Sequence, residues 1–283
     1  MFTTLISVEE LSNRLGQEDL IVVDCRYGPE EKHRKEAYLK GHIPGARYAD
    51  MDKELAAPHQ ADVTGRHPLP EVQKFAATLG GWGISNQSQV VVYDQGIGGF
   101  AARLWWMLRW VGHDAVAVLD GGWSRWVMSG FAESTSIPEP TTREFNVTLR
   151  PELLVTLDYI ETNLENPDMQ LIDSRSNDRY LGKNEPFDPI AGHIPGAISL
   201  PFTENAVNGR LRSRDELLKR FEENLNNNAD ETVFYCGSGV TACHNILSWK
   251  HAGLGDARLY VGSWSEWITG GNRPMIVPDE NKS

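Results

Sequence analysis

The six residues Gly41-His42-Ile43-Pro44-Gly45-Ala46 return letter for letter as Gly192-His193-Ile194-Pro195-Gly196-Ala197. Such a repeat in a chain of 283 residues marks an internal duplication, and its surroundings extend it. Upstream of each copy a short apolar run ends in Asp-x-Arg, as Asp24-Cys25-Arg26 and Asp173-Ser174-Arg175. Downstream, an apolar run meets a Gly-rich turn: Val90 to Tyr93 before Asp94-Gln95-Gly96, and Thr232 to Tyr235 before Cys236-Gly237. Each half then has Asp120-Gly121-Gly122-Trp123 or Val261-Gly262-Ser263-Trp264, with a second tryptophan at Trp126 or Trp267. These landmarks, in one order, predict two copies of one fold.

Inside a copy the patterns alternate. Ser7-Val8-Glu9-Glu10 has the capping-box form that opens a helix, and the apolar run Leu20–Asp24 follows as a strand. β-rich runs at 20–24, 90–93 and 115–119, separated by helical stretches at 71–79 and 101–111, predict an α/β fold with a mainly parallel sheet and helices on both faces. The Pro-, Ser- and Thr-rich stretch 133–151 reads as a linker, giving domains at 1–132 and 152–283.

Composition narrows the function. Lys+Arg 27 against Asp+Glu 39 leave a net charge of −12, a field that repels nucleic acid and anionic membranes. No apolar run is long enough to span a bilayer, and Met1-Phe2-Thr3-Thr4 lacks a signal-peptide pattern, so the expected address is cytoplasmic. Three cysteines, Cys25, Cys236 and Cys243, argue against a disulfide framework. The adjacent Cys243-His244 has no second pair at zinc-finger spacing, so neither a metal nor a bound cofactor is expected.

Gly96-Ile97-Gly98-Gly99-Phe100-Ala101, followed by a strand ending in Asp120, has the outline of a dinucleotide fingerprint, which makes an NAD-type oxidoreductase one alternative. Against it, Asp94 at the loop mouth repels phosphate, and the second copy has Val261 where the first has Asp120. The shared loop is better read as an anion-binding nest of backbone amides. In the second copy that nest holds Cys236, between a strand end and a helix start, where converging N–H groups favour thiolate over thiol. Cys243 is expected to pack in the core, and Cys25 has no comparable setting. A cysteine-dependent phosphatase would need an arginine six residues after the nucleophile, and Ala242 stands there.

With Cys236-Gly237-Ser238-Gly239-Val240-Thr241, Ala102-Arg103-Leu104-Trp105-Trp106 and Arg179-Tyr180-Leu181-Gly182 added to the repeats, the chain resembles the tandem rhodanese family, and within it the branch that takes sulfur from 3-mercaptopyruvate. The resemblance implies two rhodanese-like α/β domains with the catalytic cysteine only in the second, and an active site between them. It implies a sulfurtransferase in which Cys236 takes a sulfane sulfur from a small anionic donor, holds it as a persulfide against Gly237, Gly239, Val240 and Thr241, and passes it to cyanide or a thiol, a thioredoxin-like protein included. Arg179 matches the residue that binds the donor's anionic group. Ser238 and His42 match two members of a proton-moving Ser-His-Asp arrangement. The loop carries Gly237 and Ser238 where thiosulfate enzymes have basic residues, which points to 3-mercaptopyruvate. Two features keep thiosulfate open: Phe187 after Glu185-Pro186, where the mercaptopyruvate branch has an arginine that Lys183 would have to replace, and Arg66-His67-Pro68-Leu69-Pro70, which is similar to stretches in thiosulfate enzymes. A sulfur carrier or interaction protein without turnover is the reading from another class. Asp173 and Arg175 have twins in Asp24 and Arg26 and are expected to serve the fold.

Overall fold

A computed structural model describes residues 1–28, 31–225 and 228–277. The chain divides into two compact units, residues 1–57, 69–151 and 206–211 in the first and residues 58–68, 152–205 and 212–283 in the second.

The first unit contains β1 (Leu5–Ile6), α1 (Val8–Ser12), β2 (Leu20–Asp24), α2 (Glu31–Lys40), β3 (Arg47–Tyr48), α3 (Val72–Gly81), β4 (Gln89–Tyr93), α4 (Ala101–Trp110), β5 (Val116–Leu119) and α5 (Gly122–Met128). Its five strands are all parallel, in the order β1-β5-β4-β2-β3. The Ser7–Glu10 capping box opens α1 as the sequence predicts. Val22, Val91, Ala117 and Leu119 from the sheet pack with Trp123 and Trp126 from α5, so the second tryptophan landmark is core.

The second copy contributes β6 (Leu154–Val155), α6 (Leu157–Asn163), β7 (Gln170–Asp173), α7 (Asn177–Tyr180), β8 (Ile198–Ser199), the hairpin β9 (Ala206–Val207) and β10 (Arg210–Leu211), α8 (Arg214–Asn224), β11 (Thr232–Tyr235), α9 (Ala242–Ala252), β12 (Arg258–Tyr260) and α10 (Ser263–Trp267). Its parallel sheet runs β6-β12-β11-β7-β8, the order of the first sheet with each strand replaced by its repeat partner. The duplication read from six letters is thus a duplication of topology.

The repeated motifs are latches. Arg26 donates to both oxygens of Asp24 and to the Gly41 carbonyl (2.7 Å), and Tyr93 closes the group on Asp24 (2.7 Å). Arg175 repeats this on Asp173 and the Gly192 carbonyl (2.7 Å). Each arginine lies over a core tryptophan, Trp123 or Trp264. Buried ions of opposite sign must be paired and hydrogen-bonded, and these tie a strand end to the Gly-His-Ile-Pro-Gly-Ala turn.

The units depart from the boundaries expected from sequence. The stretch 133–151 lies along the first unit: Arg143 N–H donates to the Gly80 carbonyl (3.0 Å), Thr148 N–H to Val111 (3.1 Å) and Arg150 N–H to Trp110 (2.8 Å). The β9–β10 hairpin joins the first unit, with Arg210 and Leu211 N–H bound to Asp120. Residues 58–68 join the second, and they prove decisive for the site.

Candidate active site

Cys236 follows β11 directly, and the loop 236–241 leads into α9. The sulfur is nearly inaccessible, with the residue 2% exposed. Burial opposes its ionisation, but the Thr241 hydroxyl and the amides of Ser238, Ala242 and Gly239 together outweigh burial and hold the thiol below the ordinary cysteine value. Gly239 has φ +75°, and a Cβ there would collide with the Val261 carbonyl, so this turn admits only glycine. The Val240 backbone carbonyl accepts from Cys243 N–H as the helix begins. The Cys236 N–H donates to Ser263 Oγ (3.1 Å), which in turn donates to the Tyr260 carbonyl (3.0 Å). Ser263 holds φ 56°, the value Gly122 holds in the first copy. A serine in a glycine conformation is strained, and here its hydroxyl anchors the Cys236 backbone.

The other cysteines are differently placed. Burial first, then Asp24, Asp94 and Glu54, push the Cys25 thiol well up. Cys243 is fully buried on α9 and its Sγ donates to the Gly239 carbonyl (3.4 Å).

The first copy shows the same loop filled by its own side chain. Asp94 Oδ1 accepts from Gly96 and Gly98 N–H (2.9 and 3.0 Å), and Oδ2 from Phe100 and Ala101 N–H (2.8 and 3.3 Å). Trp123 and Ser124 N–H bind the carbonyls of Asp94 and Gln95 just as Trp264 and Ser265 N–H bind those of Cys236 and Gly237. Asp94 is therefore the counterpart of Cys236. The dinucleotide reading fails on both of its anchors: the amides that would take a pyrophosphate are occupied by a carboxylate, and Asp120 holds the β9–β10 hairpin.

Of the predicted site residues, Gly237, Ser238, Gly239, Val240, Thr241 and Arg179 belong with Cys236 to the second unit, and His42 belongs to the first. His42 is buried in the first unit, stacked on Tyr38, with Nδ1 on the Tyr38 carbonyl (2.8 Å) and Nε2 on the Ser136 carbonyl (3.1 Å). His193 is held alike, stacked on Tyr180 with Nδ1 on the Tyr180 carbonyl (2.8 Å). The repeated histidines each brace a turn of their own copy. Ser238 Oγ meets His67 Nδ1 at 2.8 Å, a hydrogen bond whose donor depends on the ring tautomer.

Arg179 makes a forked contact with Glu185 (Nε 3.0 Å, Nη2 2.8 Å) and reaches Asp188 (3.2 Å). Glu185 also accepts from Arg175 (3.2 Å), which joins the site to the Asp173 latch. Arg66 pairs with the other Asp188 oxygen, and its backbone N–H donates to Ser265 Oγ (3.0 Å). Phe187 lies across both guanidinium groups. Sequence reasoning picks out Arg66-His67 without giving the pair a role. The available signal is a basic pair before Pro-x-Pro with no counterpart in the second copy.

A cysteine of lowered pKa in an amide nest, beside a hydroxyl–imidazole pair and a cluster of arginine–carboxylate pairs, defines a group-transfer site of the rhodanese type. The model of the Rhodanese-like domain matches residues 7–129 and 156–269, and the chain belongs to this family. It is 43% identical over 279 residues to "Probable 3-mercaptopyruvate sulfurtransferase" of Pseudomonas aeruginosa, covering 97% of this chain and 98% of that one. It is 36% identical over 281 residues to the thiosulfate sulfurtransferase of Bos taurus, covering 95% and 93%. Among solved structures, a 3-mercaptopyruvate sulfotransferase of Escherichia coli matches with a TM-score of 0.81 at 31% identity, covering 94% of this chain and 100% of that one.

Proposed function

We propose that this chain is a sulfurtransferase that moves sulfur from 3-mercaptopyruvate through a Cys236 persulfide to cyanide or a thiol. The observation that carries the reading is the nest around Cys236, which stabilises negative charge on its sulfur whether that sulfur is the thiolate or the root of a persulfide. The thiolate attacks the donor sulfur, and the carbon–sulfur pair goes to carbon as the enolate of pyruvate. The proton released from the donor's S–H is the one the enolate takes up. Ser238 and His67 are placed to relay it, since the Ser238 N–H faces Cys236 and its hydroxyl meets the imidazole. In the second half the acceptor attacks the outer sulfur, and the S–S pair returns to Cys236 as thiolate. The acceptor is cyanide or a thiol, a thioredoxin-like protein included, and the reducing cytoplasm keeps Cys236 in its working state.

Thiosulfate is the second reading, favoured by Arg66 and Arg179 at the loop: departing sulfite needs positive charge and no proton. No helix among the described residues is long and apolar enough to cross a membrane. The test is thiocyanate production from cyanide with each donor, for wild type and Cys236→Ser. The ratio of kcat/KM values decides the donor, and equal turnover by Cys236→Ser sinks the mechanism.

A further inference from the structure

We propose that Arg66 is a ligand for the anionic end of the sulfur donor, acting beside Arg179. This rests on the sulfurtransferase reading. The geometry starts at Gly237, the residue after the nucleophile. A Cβ there would lie 2.8 Å from Arg66 Nη2 and 3.0 Å from Arg179 Nη2, so two guanidinium groups stand against the loop backbone next to Cys236. They are held there together: Arg66 takes Oδ1 of Asp188 and Arg179 takes Oδ2, with the Asp188 side chain 2% exposed. The Arg66 backbone N–H is tied to Ser265, and Gly65 before it passes so near the Gly262 carbonyl that a Cβ would collide. Arg66 is thus fixed at its backbone and at its tip.

Charge gives this position its consequence. Arg66, Arg175 and Arg179 balance Asp173, Glu185 and Asp188; without Arg66 the remaining groups carry one net negative charge beside a nucleophile that is itself an anion. A donor whose sulfur rests on Cys236 carries its carboxylate or sulfonate only a few bonds away, so that group must settle beside Gly237. Arg175 is fully buried, whereas Arg66 and Arg179 keep 28% and 15% of their side chains exposed, and a solute reaches these two. A planar fork suits a carboxylate or a sulfonate, and two forks on one side of the nucleophile orient the donor as well as attract it.

Two measurements on the full-length protein test this. In steady state, Arg66→Ala and Arg66→Gln raise KM for 3-mercaptopyruvate about ten- to hundredfold, as expected for a lost charge-assisted hydrogen bond, with a smaller fall in kcat. Alkylation of Cys236 then isolates charge from folding. Iodoacetate and iodoacetamide both react by thiolate attack on the CH2 carbon with loss of iodide, but only the first is an anion. The iodoacetate-to-iodoacetamide rate ratio falls about tenfold or more in both variants, and Arg66→Lys retains more of it than Arg66→Ala. An unchanged ratio, equal losses with both reagents, or an unchanged KM overturns the proposal. A wild-type protein that makes no thiocyanate removes the sulfurtransferase reading, and the alkylation ratio then tests by itself whether Arg66 attracts an anion to Cys236.

Discussion

Replacing Thr241 with valine removes one oxygen and keeps the shape of the side chain. Thr241 is the N-cap residue of α9 yet makes no side-chain capping bond, so the helix loses nothing it was using. What is lost is the hydroxyl contact to Cys236, the largest of the influences that lower its pKa. A hydrogen bond to a charged group contributes roughly 1.5–3 kcal/mol, which lowers the thiolate-to-thiol ratio about ten- to hundredfold at a given pH. The amides of Ser238, Ala242 and Gly239 remain, so the thiolate is weakened and not abolished. The assay is the rate of Cys236 alkylation by iodoacetamide across pH. The wild-type thiol is held low, so Thr241→Val shifts the rise in rate to higher pH. The deficit is greatest at and below the wild-type midpoint and vanishes above the variant's own midpoint. The linked stability has the same sign: a depressed thiol favours the folded state above the unfolded cysteine value and loses that contribution as pH falls through the folded one. Superimposable pH–rate profiles would refute the claim that Thr241 holds the charge.

Two further outcomes follow from the same contacts. Asp94→Asn keeps one of the two oxygens and turns an NH2 group toward two loop amides, so urea unfolding should show a loss of about 2–4 kcal/mol, and a loss under about 1 kcal/mol contradicts the filled-nest reading. His67→Asn should lower kcat with 3-mercaptopyruvate about a hundredfold while affecting thiosulfate far less, because only the first donor leaves a carbanion to be protonated; equal losses with the two donors count against a proton role.

The fold is legible in the sequence because duplication doubles every signal. Each apolar run, Asp-x-Arg and tryptophan pair can be checked against its twin, and strands such as Leu20–Asp24 fall where the pattern puts them. Cys236 is legible for the opposite reason, as a difference between twins at the same loop. That Asp94 is the residue opposite Cys236 is fixed by the backbone bonds from Trp123 and Ser124, which a sequence does not display. His42 stands in a conspicuous motif, and the repeat of that motif at His193 is the sign of a structural duty, which the matching Nδ1 contacts of the two rings carry. His67 and Arg66 are hidden by chain order. They lie among residues that belong by sequence to the first copy and by packing to the second unit, without a counterpart to mark them. The 133–151 stretch looks like a tether because its composition lacks periodicity; its backbone nonetheless follows α3 and α4 through bonds that need no particular side chain.

The carboxylate of Asp94 acts as a plug, and the first loop is a closed socket that needs nothing from outside. The second loop turns the amides of Ser238, Gly239 and Ala242 toward a sulfur in place of a carboxylate, and those amides favour the charged form of that sulfur. Reactivity and folding therefore draw on the same contacts at Cys236. A variant made inactive by removing the thiol is therefore expected to be less stable as well, and under the proposed mechanism a persulfide keeps an anion among the same amides between the two half-reactions.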